Sequence, residues 1–334
     1  MGMLVKGKWT TRDSYIKQGS FFRETSKITG AVELEADAGS GVEPRYWLIA
    51  SKSCAWSHGA TIIRAICKLQ AHVGLHIAHG PRIEGYAIDG GESWNVPGTT
   101  VQIEHVHQIY SLSDEMFTGR STVPVLWDAG AARIVSNDSR SIIRSFTDLG
   151  RRLGNGAVDL APAALHDRIE ATNDWLFAEL SNAVYQAGFA ESQRAYDVAE
   201  AAVFETLDAL DNHLAKHRYL LGEVITESDW RLFATLVRFD CVYAVLHRCS
   251  RKRLVDYPSL WAYARELYAW PGAAETVDFA EILQGSYLND TSNNPHNIVP
   301  ALPRADWQAP SDRGLFKPGL AWPMPDAAGF GPSL

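Results

Sequence analysis

The stretch from Tyr46 to Ile77 leaves this chain few folds to choose from. Tyr46–Ala50 (YWLIA) is a short apolar run with the length of a buried strand. From Ala55 to Leu69 the apolar residues Ile62, Ile63, Ile66 and Leu69 recur at helical spacing. Val73, Leu75 and Ile77 then alternate with small or polar residues, which predicts a second strand. Strand, helix, strand in so short a span predicts a βαβ unit, because parallel strands need a crossover of this kind. A lone cysteine, Cys54, stands where the first strand turns into the helix. At a helix start the first N–H groups lack partners and the macrodipole favours negative charge. A thiol there is either a nucleophile held as thiolate or a buried packing residue. Ser57 and His58, one turn in, add polarity or simply complete the first turn.

Residues 80–120 lack strong periodicity and read as an inserted loop region with a short helix near VQIEHVHQIYSLSDEMF. VPVLWD and ARIVSN follow as two strands joined by a tight turn, and NDSRSIIRSF starts a helix. The order β-α-β, insertion, β-β-α is that of a thioredoxin-like α/β domain, spanning 45–150 after an irregular N-terminal extension at 1–44. Gly150, Gly154, Gly156 and Pro162 break regular structure and predict a linker. Residues 151–290 are predicted to form an all-α domain, and 291–334 a Pro- and Asn-rich tail.

Composition narrows the function. Hydrophobic residues at 46% and charged residues at 21% suit a globular protein with a real core. A net charge of −8 argues against nucleic acid or an anionic membrane as partner. No apolar stretch approaches the ~20 residues of a membrane span. The first residues lack the apolar core of a signal peptide, and the four cysteines form no C-x-x-C pair. A cytoplasmic location with free thiols is therefore expected. The 11 tryptophans suit a pocket for a flat aromatic ligand as well as a core. His72, His76 and His79, with His105 and His107, invite a metal reading. In a strand, however, His79 falls on the opposite face from His72 and His76, so no metal site is expected.

Three further motifs stand out, two with chemical meaning and one with a folding role. Pro124 opens a strand, and a cis bond to Val123 is compatible with that place. In the thioredoxin architecture such a proline faces the helix-start cysteine and leaves the Val123 backbone to pair with a thiol ligand. Asp138 and Ser139 stand at a helix start, as plain caps or as a clamp for an amine and a carboxylate. Thr226 and Asp229 have capping-box spacing, which is a folding signal.

Together these motifs resemble the glutathione transferases. The stretches NDWLFAELSNAVYQAGFA, RYLLGEVITESDWRLFATLVRFDCVYAV, DYPSLWAYARELY and NPHNIVP resemble, more narrowly, the glutathionyl-hydroquinone reductases, or Xi class. The resemblance spans most of residues 45–300 and implies the transferase fold and a homodimer. It also implies Cys54 as nucleophile, glutathione as co-substrate, and a small quinone-derived aromatic substrate met by Tyr185, Tyr243 and Tyr287. For the thiol site it implies Val123, Pro124, Asp138, Ser139, Arg120, Tyr86 and Trp56. Without the resemblance the tyrosines would read as helix packing.

This sequence departs from the family pattern at three places. The signature C-P-W-A-H reads Cys54-Ala55-Trp56-Ser57-His58, Asp138 stands for Glu, and Tyr86 for Trp. All three touch the thiol site, so the resemblance implies a retained reaction with glutathione or another thiol such as mycothiol. An omega-like thioltransferase or dehydroascorbate reductase would use the same cysteine without an aromatic site. A non-catalytic ligand-binding protein on this fold is the third reading.

Overall fold

The computed structural model describes residues 2–11, 15–17, 19–30, 32–34, 43–154 and 158–314. They form two compact units. One comprises Met1–Lys17, Phe22–Ala157 and Glu275–Ala301, and the other Gln18–Phe21, Val158–Ala274 and Leu302–Leu334.

The first unit opens with an antiparallel pair, β1 (Met3–Val5) and β2 (Lys8–Thr10). The two-residue strands β3 (Ile16–Lys17) and, in the second unit, β4 (Ser20–Phe21) follow. Then come β5 (Tyr46–Ala50), α1 (Ala55–Ile66) and β6 (Val73–Ile77). The strands β5 and β6 are parallel, with Tyr46 opposite Val73 and Ala50 opposite Ile77, as a βαβ crossover requires. The insertion holds β7 (Trp94–Asn95), β8 (Gln102–Ile103) and α2 (Val106–Ser113). Next come β9 (Val125–Asp128), β10 (Arg133–Ser136) and α3 (Ser139–Leu153), and the sheet order is β10-β9-β5-β6. Both β5–β9 and β9–β10 are antiparallel. Alternate residues of β5 and β9 feed a core with Ile49, Val125 and Trp127 wholly buried.

Two expectations change. The segment 1–44 is not all irregular. Leu4 is wholly buried, and its N–H and carbonyl exchange hydrogen bonds with Gly119 at 2.9 and 3.0 Å. The pairing partner lies so far along the chain that local periodicity could not reveal it. The linker does not begin at Gly150 either, because α3 runs on to Leu153 and ends at Gly154, in the left-handed region with φ 64°. Gly150 lies inside the helix, where what faces it leaves no room for a side chain. A Cβ there would lie 2.8 Å from the Cβ of Cys67. Gly156 lies outside the described residues.

The second unit is helical: α4 (His166–Leu176), α5 (Ala183–Gly188), α6 (Gln193–Leu214), α7 (Glu227–Arg238) and α8 (Pro258–Tyr268). A π turn at Phe177–Ser181 joins α4 towards α5, and another at Phe239–Tyr243 continues α7. Nearly every residue of α7 is buried, so it is the central helix of this unit. The last helix, α9 (Phe279–Tyr287), groups with the first unit. Among the described residues no helix is long and apolar enough to cross a membrane.

Candidate active site

The chain leaves β5 at Ala50 and turns through Ser51–Ser53, a turn closed by Cys54 N–H donating to the Ser51 carbonyl at 3.0 Å. Cys54 is then the N-cap of α1, with extended backbone at φ −90°, ψ 118°. Its sulfur accepts from Ser57 N–H at 3.5 Å, and its thiol donates to the Val123 carbonyl at 3.5 Å. The Val123–Pro124 bond is cis. Cys54 is 7% exposed, so the sulfur is sheltered beside two groups able to orient a thiol ligand. Burial pushes Cys67, Cys241 and Cys249 up to about 12, which keeps them protonated and unreactive.

Helix α9 holds the turn that presents Cys54. Lys52 pairs with Asp278 at 2.7 Å, and His58 Nε2 lies 2.9 Å from Thr276 Oγ1. Asp278 also caps α9 by accepting from Glu281 N–H. The hydrogen bond from Lys52 holds the Asp278 carboxyl below its ordinary range. A Cβ at Gly285 would lie 2.6 Å from the Ser53 Cβ, so only glycine lets the helix approach this closely. Ser53 Oγ accepts from the Arg82 guanidinium at 2.8 Å, and Arg82 N–H donates to Asn289 Oδ1 at 2.7 Å. Tyr287 rides on the same helix and is 3% exposed. Lys52, Arg82 and Gly285 were not singled out in the sequence. The one local hint was a glycine inside a helical pattern.

The other residues expected at the thiol site all lie in the first unit. Asp138 caps α3, accepting from Ser141 N–H and Ser141 Oγ at 2.8 Å each, and Ser139 is the first residue of that helix. Tyr86 lies beneath Arg82, whose guanidinium carbon is 4.1 Å from the ring centre. Arg120 stands over Tyr15 at 5.1 Å, and Arg23 over Trp56 at 5.0 Å. In the helical unit the Tyr185 and Tyr243 hydroxyls are 3.5 Å apart, with rings edge to face at 5.8 Å. His247, Phe189 and Phe21 complete an aromatic cluster around Tyr185. None of those three was anticipated, because helical spacing alone does not separate an aromatic site from packing.

The histidines sort differently from the strand argument. His76 bonds the Ile88 carbonyl at 2.8 Å, and His79 pairs with Asp89 at 3.0 Å. Pairing of Ala87 with His105 brings Glu84, His105 and His107 together, with donor atoms within 4.8 Å of one another. His107 Nε2 lies 3.0 Å from Glu84 Oε2, while its Nδ1 is buried without a partner. A cation on Nε2 would force the ring proton onto that buried Nδ1, where nothing accepts it. The geometry favours an Nε2–H donating to Glu84.

A family model described as "Glutathione S-transferase, C-terminal domain" matches residues 182–266. Glutathionyl-hydroquinone reductase YqjG of Escherichia coli is 37% identical, over 94% of this chain and 99% of that protein. Its glutathione-bound structure superposes with a TM-score of 0.80, covering 93% of this chain and 99% of that one. Glutathionyl-hydroquinone reductase PcpF of Sphingobium chlorophenolicum is 35% identical, over 91% of this chain and 96% of that protein. Glutathione S-transferase omega-like 2 of Schizosaccharomyces pombe is 32% identical, over 88% and 95%. With the thioredoxin-like sheet, the cysteine at the start of α1 and the helical second unit, these likenesses establish that the chain belongs to the Xi-class glutathione transferases, the family of the glutathionyl-hydroquinone reductases.

Proposed function

We propose that this protein is a thiol-dependent reductase that removes glutathione from glutathionyl-hydroquinones. The observation that carries the reading is Cys54, capping α1 beside the cis Val123–Pro124 bond. The Cys54 thiolate attacks the sulfur of the thioether. The carbon–sulfur bond breaks, its electron pair stays on the ring carbon, and that carbon takes a proton. Hydroquinone leaves, and Cys54 holds glutathione as a mixed disulfide. A second glutathione thiolate attacks that disulfide, releasing oxidised glutathione and the Cys54 thiolate. Phenols both donate and accept hydrogen bonds, so Tyr185, Tyr243 and Tyr287 are assigned to the ring hydroxyls and the proton. Val123, Asp138, Ser139, Arg120, Tyr86 and Trp56 are assigned to the thiol, with glutathione the first choice and mycothiol the second. A cytoplasmic homodimer is part of the same reading; light scattering that shows a monomer would remove the dimer.

Mass spectrometry tests the chemistry. Wild type incubated with a glutathionyl-hydroquinone should gain one glutathione and release hydroquinone, and excess thiol should remove the added mass. Cys54→Ala should show neither, with turnover down at least ~10³-fold, the scale expected when a covalent nucleophile is lost. An adduct on another cysteine would sink the assignment. The omega-like relative keeps thioltransferase or dehydroascorbate reductase activity as the second reading. It takes over if Cys54 turns over small disulfides or dehydroascorbate but no hydroquinone adduct.

A further inference from the structure

A cleft of about 220 Å³ opens beside the Cys54 turn, between Ser51 and Ser53, the loop after β6, and α9. Arg82 lies in its wall. Three contacts fix this arginine: its backbone N–H on Asn289, its guanidinium on Ser53 Oγ, and the Tyr86 ring 4.1 Å below. Those partners are all neutral. No carboxylate reaches ion-pair distance of Arg82 among the described residues. Glu281 lines the same cleft without pairing with it, and the neighbouring His79 is taken by Asp89. A guanidinium offers five N–H donors in a rigid fork, and Ser53 uses one side of it. The fork is thus held still, half-buried and lacking an anion, in a protein whose net charge of −8 gives no general attraction for one.

We propose that Arg82 binds a carboxylate of the substrate, in a subsite that begins next to the nucleophile's own turn. Ser53, which lines the cleft and accepts from Arg82, directly precedes Cys54 in the chain, and on this proposal the acid bound there is carried by the molecule whose sulfur Cys54 attacks. The identity of that molecule rests on the proposed function. The acid is either the glycyl carboxylate of the thiol peptide, at the end away from Asp138 and Ser139, or an acid carried by the hydroquinone ring. Bidentate carboxylate recognition is what a pinned arginine fork is suited to. Tyr86 below it supports the plane of the fork.

The test compares wild type and Arg82→Gln on three adducts. These are hydroquinone on glutathione, hydroquinone on glutathione glycyl ethyl ester, and a carboxylated hydroquinone on the ester. Loss of one charge-assisted pair predicts a drop of about 10–50-fold in kcat/KM, carried by KM. If the peptide supplies the acid, esterification costs wild type that factor, Arg82→Gln loses as much on the free acid, and the variant ignores esterification. If the ring supplies it, the carboxylated ring accelerates wild type alone and esterification changes nothing. Arg82→Lys, which keeps the charge without the fork, should fall between the two and guards against a folding defect. Arg82→Gln within threefold of wild type on every adduct overturns the proposal, as does a variant that stays sensitive to esterification.

Calorimetry on Cys54→Ser protein separates this from the reaction itself. Wild type silent on every adduct removes the proposed function. An esterification penalty in glutathione binding that vanishes with Arg82→Gln would still uphold Arg82. No such penalty, in a protein also silent on the adducts, removes both.

Discussion

Helix α7 begins at Thr226 and helix α1 at Cys54, and the two starts are held in different ways. At α7 the Asp229 carboxylate collects four donors: Leu220 N–H, Thr226 N–H, the Thr226 hydroxyl and the Tyr263 hydroxyl, at 2.8 to 3.1 Å. Thr226 and Asp229 are wholly buried. At α1 the cap is a sulfur 3.5 Å from one N–H, and no acidic residue stands in the first turn. An oxygen cap contributes about 1 kcal/mol that a weakly accepting sulfur largely forgoes. What holds the start of α1 is borrowed from α9 and the short turn before it, through Lys52–Asp278, His58–Thr276 and the contact of Ser53 with Gly285. The start of α7, which holds itself, serves the fold. The start of α1, held from outside, leaves its capping atom available for chemistry.

The sharpest way to break this comparison is Asp229→Ala. It strands buried donors on Leu220, Thr226 and Tyr263, at about 1–3 kcal/mol each before relaxation, so a loss of about 3–5 kcal/mol is expected. Urea unfolding followed by tryptophan fluorescence measures it, and the folded variant should form the Cys54 mixed disulfide at the wild-type rate. A loss below about 1 kcal/mol would mean that water replaces the carboxylate and that the α7 cap is not a folding device.

Gly285→Ala comes next. Overpacking against Ser53 should cost about 1–3 kcal/mol. Turnover should fall about 10–100-fold, because small misplacements of reacting groups carry costs of that order. Ser53→Gly in the same chain removes the group that the new methyl meets, so the double variant should recover most of the lost stability, while its turnover recovers only as far as loss of the Ser53 hydroxyl that Arg82 donates to allows. A Gly285→Ala protein with wild-type turnover would show that the start of α1 does not depend on α9.

The pair Lys52–Asp278 gives a smaller effect with a definite pH window. The Lys52 hydrogen bond depresses the folded pKa of Asp278. A depressed carboxyl contributes stability above its unfolded value near 3.9 and loses it as pH falls through the lower folded value. The stability difference between wild type and Asp278→Asn should therefore be constant above about pH 5 and shrink towards zero in acid. Both side chains are about a third exposed, so salt should screen the difference as well. A difference that grows in acid would contradict the pairing.

What the sequence made legible was local. The βαβ unit, the cysteine at its junction, the Thr226–Asp229 box and the Asp138 cap each lie within one continuous stretch of chain, where periodicity, turn and cap chemistry leave a pattern. The supports of the candidate site are not local. Lys52 and Asp278 are 226 residues apart in the chain, and Arg82 and Asn289 are 207 apart. No periodicity links such pairs, and a lysine before a cysteine looks like any solvated charge. The glycine at 285 showed no purpose until Ser53 was placed against it. Tyr185 and Tyr243 sit at ordinary helical spacing and stood out only through the family resemblance. Their hydroxyl contact is a tertiary fact.

Ala55→Pro is the gentlest of these changes and asks why α1 starts as weakly as it does. Ala55 is the first helical residue, where an N–H has no partner within the helix and proline's fixed φ suits the first turn. Cys54 already has the extended backbone that a residue before proline adopts. Proline should therefore stabilise the protein by about 0.4–1 kcal/mol, through an unfolded chain with fewer conformations. It should do so without changing the rate at which Cys54 forms its mixed disulfide. Ala55 is 5% exposed, so the ring must also fit the space beside the sulfur. A loss of stability would mean that the space is too small. Slower disulfide formation at unchanged stability would mean that alanine leaves room for the incoming thiol, and the start of α1 would then be shaped by its ligand as well as by α9.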